Sequence, residues 1–368
     1  MTRQLSRFPH GLHGGPSRGF ELWRSSLPLS FGFNPLARIA LVHDIAGVAN
    51  TQARLLREAG HEVDQIALSE IGASWSWPVK AITIPIRLAA YLPAVARLRR
   101  TRYDIVHIHW LTQGIVGPLI GRPFFVQAHG SDLHLNLRSG TLRAVTRRVL
   151  ERARLVFYVT PNLRAFMPDF DRKLRFLPNP VDVAALREGA PPGPELSWVL
   201  IFTRLDPVKG VDEVYAAAER LSQVVSLTGL DWGPVRTEYA QRYAGMVRFV
   251  APVPHDEVGD LLHRFDLVIG QMRQGILSLS ELEAMAAGRP VITGIDWSLY
   301  ADDPPPVVGV TDADGIVAAV ERLKGDPAEV ARLSREGPEW VERNHGFARH
   351  LRLLEEAYFG IDTMPTGR

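Results

Sequence analysis

Two cations and one carboxylate in the second half of the chain have the types and spacing that would bind a charged nucleotide. Arg204 and Lys209 follow an apolar run and precede Gly210. Two cations in such a loop can neutralise a diphosphate and stabilise it as a leaving group. Glu283 follows the turn at Gly275, within a helical pattern, where a carboxylate can accept hydrogen bonds from ribose or sugar hydroxyls. Together they predict a nucleotide-sugar pocket.

The start of this helix adds a second feature that suits phosphate. The first turn of a helix presents unpaired backbone N–H groups and the positive end of the helix dipole. Both attract phosphate oxygens. The predicted donor-binding residues therefore include the turn before the helix, made of Gln274, Gly275, Ile276, Leu277 and Ser278.

The first half of the chain contributes further candidates. His129 follows an apolar run, and a histidine at the carboxyl end of a strand can point into a cleft. Asp132, three residues later, could orient it. Gly47 ends the turn after the first apolar run, and a single glycine there is a weak signal by itself. His107 and His109 would share one face of a strand and could bind a metal, but no third ligand stands out.

Apolar runs that alternate with helical patterns must position these residues. The first half holds runs typical of buried strands at 38–43, 62–68, 105–109, 124–128, 155–159 and 174–177. The second half holds runs at 198–202, 224–227, 247–250, 267–269 and 291–293, with helical patterns at 211–221 and from 326 to 358. Strands that alternate with helices predict parallel sheets, so we expect an α/β chain of doubly wound domains.

Length and composition agree with a two-domain globular protein. A chain of 368 residues with 46% hydrophobic and 22% charged residues is typical of that class. It contains no cysteine, which excludes disulfides, thiolate metal sites and cysteine nucleophiles. We see no apolar run of the roughly 18 residues that span a bilayer, and no apolar core of a signal peptide. These features predict a cytoplasmic protein.

The small net charge of +2 hides an asymmetry between the two halves. Residues 37–180 carry 20 Lys and Arg against 10 Asp and Glu, whereas residues 181–368 carry 18 against 29. Either the two domains attract each other, or the basic half faces an anionic acceptor or an anionic membrane surface. Cations and aromatic residues from Trp75 to Arg102 suit a helix lying on a membrane, or a core helix with cations in its last turn. No nucleic-acid recognition module is present.

Four segments resemble, in the expected order, segments of the retaining GT-B glycosyltransferases, especially glycosyltransferase family 4. Each motif alone is moderately specific, but four in order at plausible spacing are specific, and the resemblance spans roughly residues 37 to 360. The matching segments are Ala128–Asp132 (HG-x-D), Leu177–Asp182 (NPVD), Thr203–Gly210 (GRLxxxKG) and Leu282–Val291 (LEAMAxGxPV).

This resemblance implies a fold and a reaction. The fold would be GT-B, with two Rossmann-like domains facing across a cleft. The reaction would move a sugar from a nucleoside-diphosphate sugar, such as a UDP-sugar, to an acceptor with retention at the anomeric carbon, with no metal or cofactor. Arg204 and Lys209 would stabilise the leaving diphosphate, Glu283 would hold the ribose, and His129 would contact the donor sugar near the reacting carbon. The turn at Gly47 would bring the backbone close to the phosphates or the acceptor.

The chain is expected to divide into an extension and two domains. Residues 1–36 hold many Gly, Pro, Ser and Arg without a sustained period, so they would form a flexible extension or lie upstream of the true start. The resemblance implies that residues 37–180 form the acceptor domain, 181–345 the donor domain, and 346–368 a C-terminal helix that crosses back to the first domain. The acceptor is not named by the sequence, and an anionic or lipid-linked acceptor, with peripheral contact at the inner membrane face, is one expectation.

The chain departs from the family at one position. The family's E-x7-E motif places its first glutamate, which touches hydroxyls of the donor sugar, at what is here Gly275. Gln274, Ser278, Ser280 or Glu281 could supply part of that hydrogen bonding. Three alternatives to a transferase stay open: a GT-B sugar-nucleotide epimerase, a phosphorylase, or, because of this departure, a non-catalytic nucleotide-sugar-binding protein.

Overall fold

The computed structural model describes residues 36–69, 79, 82–138, 140–193 and 195–360. Nearly all of the predicted N-terminal extension, together with Trp75, Trp77 and Lys80, lies outside the described residues. Two parallel sheets, each of six strands, form the framework of the described part. Both faces of such sheets are covered by helices, which explains why their strands are continuous apolar runs in the sequence.

The first sheet has the strand order β2-β1-β3-β4-β5-β6. Its strands are β1 (Arg38–Val42), β2 (Glu62–Ile66), β3 (Ile105–His109), β4 (Phe125–Ala128), β5 (Leu155–Tyr158) and β6 (Leu174–Phe176). The helices between them are α1 (Val48–Glu58), α2 (Ile84–Ala89), α3 (Leu92–Arg100), α4 (Ser131–Arg138) and α5 (Gly140–Arg152).

The second sheet has the order β12-β11-β10-β7-β8-β9. Its strands are β7 (Trp198–Ile201), β8 (Ser226–Leu230), β9 (Val247–Val250), β10 (Leu267–Ile269), β11 (Val291–Thr293) and β12 (Val308–Gly309). The helices that accompany it or follow it are α6 (Val183–Arg187), α7 (Val211–Ala216), α8 (Ala218–Leu221), α9 (Arg236–Arg242), α10 (Val258–Leu262), α11 (Leu279–Ala286), α12 (Ala313–Gly325), α13 (Pro327–His345) and α14 (Phe347–Phe359).

Each sheet has one point at which the strand order reverses. It lies between β1 and β3 in the first sheet and between β7 and β10 in the second. In doubly wound sheets, ligands bind outside the carboxyl ends of the strands at such points. The loops after β1, β3, β4, β7 and β10 are therefore the ones that a ligand would meet, and all the predicted site residues lie on or next to these loops.

The two faces of the first sheet differ in polarity. Because strand side chains alternate, one set of residues enters a hydrophobic core and the next set faces the other way. The core face includes Ala40, Val42, Val106, Ile108, Val126, Ala128 and Val156. The opposite face carries His107, His109 and Gln127, all fully buried. Helices α1 and α14 cover this polar face, through Gln52 and Tyr358 respectively.

Helix α14 packs against the first sheet although it follows the second in sequence. The chain passes between the two halves at Val181, whose amide donates to the carbonyl of His345 at 2.9 Å. After this crossing, Glu355 of α14 lies 3.0 Å from the ring of His61, and Phe359 stacks on the same ring. The last helix therefore completes the packing of the first sheet.

Helices α2 and α3 combine buried and exposed apolar residues. Val95 and Leu98 of α3 are buried, whereas Ile86, Leu88 and Leu92 are exposed, and three arginines occupy the last turn of α3. Within the residues that the structure describes, no helix has both the length and the apolar character required to cross a bilayer.

Candidate active site

The loop after β7 is held against the loop after β10. Gly210 has a φ of 76°, and a Cβ atom at this position would lie only 2.8 Å from Cβ of Met272. The amide of Met272 donates to the carbonyl of Lys209 at 2.8 Å. Glycine is required here because the backbone is left-handed and a neighbouring chain approaches closely. This contact brings together two loops that the sequence separates by about sixty residues.

Lys209 is a half-buried cation whose ammonium has few partners. Its Nζ donates to Oε1 of Gln274 at 2.8 Å, which is its only hydrogen-bond partner in the described part of the chain. Desolvation lowers the pKa of Lys209, and the more distant charges of Glu281 and Asp206 oppose this only in part. A desolvated ammonium with one neutral acceptor gains stability from an anionic ligand.

Arg204 is held by two neighbours that the sequence did not indicate. Its guanidinium hydrogen-bonds the carboxylate of Asp206 and lies 5.8 Å from the ring centroid of Trp232. Its Nε atom is buried and has no hydrogen-bond partner in the described chain. Asp206 also accepts the amide of Val208 at 3.1 Å, so it fixes both the loop and the arginine. Arg204 is thus oriented in the same loop as Lys209, and its Nε–H group has no acceptor in the described chain.

The turn after β10 is shaped by Gln271, which is fully buried. Its Nε2 donates to the carbonyls of Ile276 at 2.7 Å and Gly294 at 3.0 Å, and its Oε1 accepts the amide of Gln274 at 2.7 Å. These three bonds fix the turn that contains Gly275, whose φ is 65°.

The sequence-predicted helix start needs one refinement. Helix α11 begins at Leu279, with Ser278 as its N-cap, rather than in the turn around Gly275. Glu281 accepts the amide of Ser278 at 2.8 Å and the amide of Gln271 at 2.9 Å. Because both carboxylate oxygens of Glu281 accept these internal bonds and the residue is almost fully buried, Glu281 stabilises the turn.

Backbone N–H groups of the turn differ in their availability. The amide of Leu277 donates to the Tyr300 hydroxyl at 2.9 Å, and that of Ser278 is also paired. The amides of Gly275 and Ile276 have no acceptor among the described residues. Among the backbone N–H groups of the turn, those of Gly275 and Ile276 are therefore the ones that remain available to bind phosphate oxygens.

Glu283 is buried, with 4% of its surface exposed, and its Oε1 has no hydrogen-bond partner in the described chain. This atom lies 3.4 Å from Nδ1 of His255, a residue that the sequence analysis did not select. Burial, assisted by the nearby Glu281, raises the pKa of Glu283 to about 8. A buried polar atom without a partner calls for an explanation, and a ligand hydroxyl would provide one.

Asp132 acts on the backbone rather than on the ring of His129. It is fully buried and accepts amides from Leu111 at 2.8 Å, Leu133 at 2.9 Å and His129 itself at 3.1 Å. Burial raises the pKa of Asp132, and these amides oppose the rise. The carboxylate makes no contact with the imidazole ring, so Asp132 is a positioning residue that ties the loops after β3 and β4 together.

The half-buried ring of His129 lies at the carboxyl end of β4. Its Nε2 is 3.2 Å from Nδ1 of His109, and its ring lies beside that of Trp110, with centroids 6.4 Å apart. Desolvation and the neighbouring His43 lower the pKa of His129 to about 3. The ring is therefore neutral near pH 7.

The turn after β1 is tight but open to solvent. His43, Ala46 and Gly47 all have positive φ angles, of 65°, 51° and 75°. Such angles are costly for residues other than glycine and occur where surrounding contacts enforce them. No atom lies within 4 Å of a Cβ placed on Gly47, so the space beside this predicted donor-binding residue is free in the described structure.

The histidine pair on β3 contacts an aromatic hydroxyl and each other. His107 Nδ1 lies 2.7 Å from the Tyr358 hydroxyl, and its ring stacks on that of His109, with centroids 4.6 Å apart. In the described ranges, no three His, Cys, Asp or Glu side chains are grouped so that they could hold a metal ion.

Comparisons with known proteins identify the family of this chain. The family model described as Glycosyltransferase Family 4 matches residues 46–185, and the one described as Glycosyl transferases group 1 matches residues 197–326. The 2-deoxystreptamine N-acetyl-D-glucosaminyltransferase of Streptomyces fradiae is 30% identical in an alignment that covers 67% of this chain and 68% of that one. The chain belongs to glycosyltransferase family 4.

Solved structures confirm the fold of this glycosyltransferase. Sucrose-phosphate synthase from Thermosynechococcus elongatus superposes with a TM-score of 0.71 at 18% identity, over 88% of this chain and 99% of that one. Anabaena Alr3699/HepE, solved in complex with UDP and glucose, gives a TM-score of 0.69 at 15% identity, over 88% and 100%. The predicted GT-B architecture, with two Rossmann-like domains facing across a cleft, is thereby confirmed.

Proposed function

We propose that this glycosyltransferase transfers a sugar from a nucleoside-diphosphate sugar to an acceptor with retention of the anomeric configuration. Lys209 carries the proposal. Its ammonium is desolvated and has one neutral partner in the described chain, an arrangement that a bound diphosphate would compensate.

The neighbouring groups would bind the other parts of the donor. Arg204 would add a second cation on the diphosphate, and the amides of Gly275 and Ile276 would bind its oxygens. Glu283 would accept hydrogen bonds from the ribose hydroxyls through its unpaired oxygen. His129, across the cleft, would contact the sugar.

The transfer step needs charge stabilisation more than it needs a strong base. The acceptor oxygen bonds to the anomeric carbon while the bond from that carbon to the phosphate oxygen breaks. Attack on the same face as the leaving group gives retention, and a departing phosphate oxygen takes the proton of the acceptor. Lys209 and Arg204 stabilise the negative charge that develops on the diphosphate, so these residues can replace a metal in this step.

The structural relatives favour a uridine nucleotide. The Anabaena protein superposes over 88% of this chain, and its structure contains UDP and glucose. We therefore propose a UDP-sugar as the donor.

The first domain is proposed to receive an anionic or lipid-linked acceptor at a membrane surface of the cytoplasm. Residues 37–180 carry twice as many cations as anions. Ile86, Leu88 and Leu92 are exposed beside the arginines of α3. Exposed apolar side chains next to cations favour peripheral contact with anionic lipid.

Substitution of the two cations tests the donor site. Lys209→Met keeps the apolar stem but removes the charge, and it should weaken UDP binding by roughly 10- to 100-fold, the value of one hydrogen bond to a charged group. Arg204→Ala should weaken it in the same direction. Arg273→Ala is the matched control, because Arg273 lies on the adjacent loop and pairs with Glu213. Unchanged UDP affinity in both Lys209→Met and Arg204→Ala, measured by calorimetry, would refute this site.

Product analysis separates transfer from the alternatives. An epimerase would convert the UDP-sugar without any acceptor, a phosphorylase would require inorganic phosphate, and a binding protein would consume no donor. For a retaining transferase, NMR of the product should show the same anomeric configuration as the donor.

A further inference from the structure

A series of polar contacts runs from the crossing point of the chain to Gln127, which lies opposite His109 on the neighbouring strand. His350 of α14 contacts the carbonyl of Pro178 through Nδ1 at 2.7 Å and the side chain of Gln52 through Nε2 at 3.1 Å. Gln52 in turn contacts Oε1 of Gln127 at 3.2 Å. All three side chains are fully buried. Because water does not reach these side chains, the donor and acceptor roles in one contact determine those in the next.

The Pro178 carbonyl fixes the donor and acceptor roles in this series, because a carbonyl oxygen can only accept a hydrogen bond. His350 must therefore carry its proton on Nδ1. A buried neutral imidazole has one N–H, so Nε2 of His350 is a lone pair and must face the amide NH₂ of Gln52. The same NH₂ then donates to Gln127, which places the carbonyl oxygen of Gln127 toward Gln52. The orientation of both amides follows from the contacts rather than from an assumed rotamer.

Gln127 lies on β4, next to the strand that carries His109. Its Nε2, the donor end, has no partner among the described residues, and neither has Nε2 of His109. Gln127 and His109 are directly opposite each other in the register of β3 and β4 and belong to the same face. A lone pair is therefore favoured on Nε2 of His109, since a proton there would leave a buried N–H group without an acceptor, whereas a proton on Nδ1 faces a ring nitrogen that can accept it.

The proton of His109 then lies on Nδ1, which is the atom 3.2 Å from Nε2 of His129. His109 is the donor in this contact, and His129 Nε2 is the acceptor. A neutral His129 must therefore hold its own proton on Nδ1, an atom that hydrogen-bonds no described residue and is not among the buried unpaired atoms.

We propose that His109 is a positioning residue that fixes the tautomer of His129, so that Nδ1–H of His129 is directed at the donor sugar as a hydrogen-bond donor. The assignment of the sugar to His129 rests on the proposed function, but the tautomer does not. In this arrangement His129 offers a proton-bearing nitrogen to an oxygen of the sugar and does not act as a base.

Imidazole ¹⁵N NMR of the ligand-free protein reads the tautomer directly. The His129 signals are identified as those lost in His129→Ala. In the wild type, Nδ1 should be protonated and Nε2 should be an unprotonated acceptor. His109→Leu should return His129 to the Nε2–H form that free imidazole side chains prefer, and His109→Asn should restore the wild-type pattern because its amide can donate from the position of Nδ1.

A matched control separates this role from simple packing. His107→Phe disturbs the same buried strand and the same ring stack but removes no contact to His129. It should leave the His129 tautomer unchanged. Near-ultraviolet circular dichroism of each variant shows whether the core is intact.

Kinetics connect the tautomer to transfer. His109→Leu should lower kcat by about 10-fold, the value of one well-placed hydrogen bond, while UDP affinity stays unchanged because His129 does not contact the nucleotide. His109→Asn should recover most of the rate. A wild-type His129 protonated on Nε2, or a His109→Leu variant with the wild-type tautomer, would overturn the inference. A wild type that shows the expected tautomer but transfers no sugar would refute the proposed function alone.

Discussion

Glu283 shows how burial changes what a residue can do. On the helical pattern alone it stands at the edge of an apolar stripe, where a glutamate can be solvated. In the structure it is buried, its pKa is raised to about 8, and one oxygen is unpaired in the described chain. A carboxyl group in this state is stabilised when a hydroxyl enters the pocket, so it can distinguish ligands by their ribose hydroxyls.

Ribose recognition by Glu283 can be measured with deoxy analogues. The wild type should bind UDP at least about 10-fold more tightly than 2′,3′-dideoxy-UDP, because each lost hydroxyl removes a hydrogen bond to a charged or buried partner. Glu283→Ala should bind both ligands alike. Calorimetry with the two ligands on the two proteins gives a complete cycle, and a variant that still prefers UDP would show that another residue holds the ribose.

The positions of the site residues were predictable where a motif contains them, whereas contacts that depend on a distant partner were not. Arg204, Lys209 and Glu283 stand in motifs, and the structure places them on or beside the two loops at the switch point of the second sheet. The backbone role of Asp132 and the link between His109 and His129 depend on which atoms face each other across neighbouring strands. A sequence shows that both residues of a pair are present, but not which nitrogen of a ring meets which.

The turn before α11 explains the glycine that departs from the family pattern. Gly275 has a φ of 65°, and an added Cβ would lie 3.1 Å from Cβ of Asp296, whose amide donates to the carbonyl of Gly275. A side chain at this position would have to tolerate a left-handed backbone and a close neighbour. The glycine is therefore part of the geometry of the turn and not simply a missing carboxylate.

A glutamate placed at this position should not repair the motif. Gly275→Glu should lower the free energy of unfolding by roughly 1–2 kcal/mol, the cost of the left-handed backbone, and should not increase the rate of transfer. Gly275→Ala is the control, since it carries the same backbone cost without a carboxylate. Denaturant unfolding and a transfer assay measure both quantities. A faster Gly275→Glu enzyme with unchanged stability would show that the turn can accept the family's glutamate.

The elements themselves were largely readable from apolar runs. Eleven strands were predicted at or near their observed positions, but β8 runs from Ser226 to Leu230 instead of ending at 227. Within this strand Gly229 leaves room for the Tyr215 hydroxyl, which would lie 2.5 Å from an added Cβ. The two-residue strand β12 was too short to give a pattern, and the predicted helix at 211–221 is interrupted at Ala217.

Across the whole molecule, buried histidines link stability to pH. Desolvation lowers the pKa of each, to about 3 for His129 and about 4 for His345 and His350, and well below the usual value for the two histidines of β3. In the unfolded chain these groups would titrate near pH 6.5. Between that pH and about 4, the unfolded state binds more protons, so stability is lost as the pH falls.

The free energy of unfolding should therefore decrease steadily from pH 6.5 to pH 4.5, as measured by denaturant titration at several pH values. Each histidine contributes up to about 1.4 kcal/mol per pH unit, and Glu283, with its raised pKa, opposes them with one proton. His345→Gln should give a shallower dependence. A stability that is constant or rises toward acid would contradict the buried neutral state of these rings.

The position of α14 has a consequence for synthesis of the chain. The polar face of the first sheet, with its two strand histidines, is covered by His350 and Tyr358, which the ribosome adds about 180 residues after the last strand of that sheet. Until then helix α1 is present on this face, but the position that Tyr358 occupies is open to water. The N-terminal half can form its strands early, but it reaches its final packing only when translation has delivered the helix that closes it.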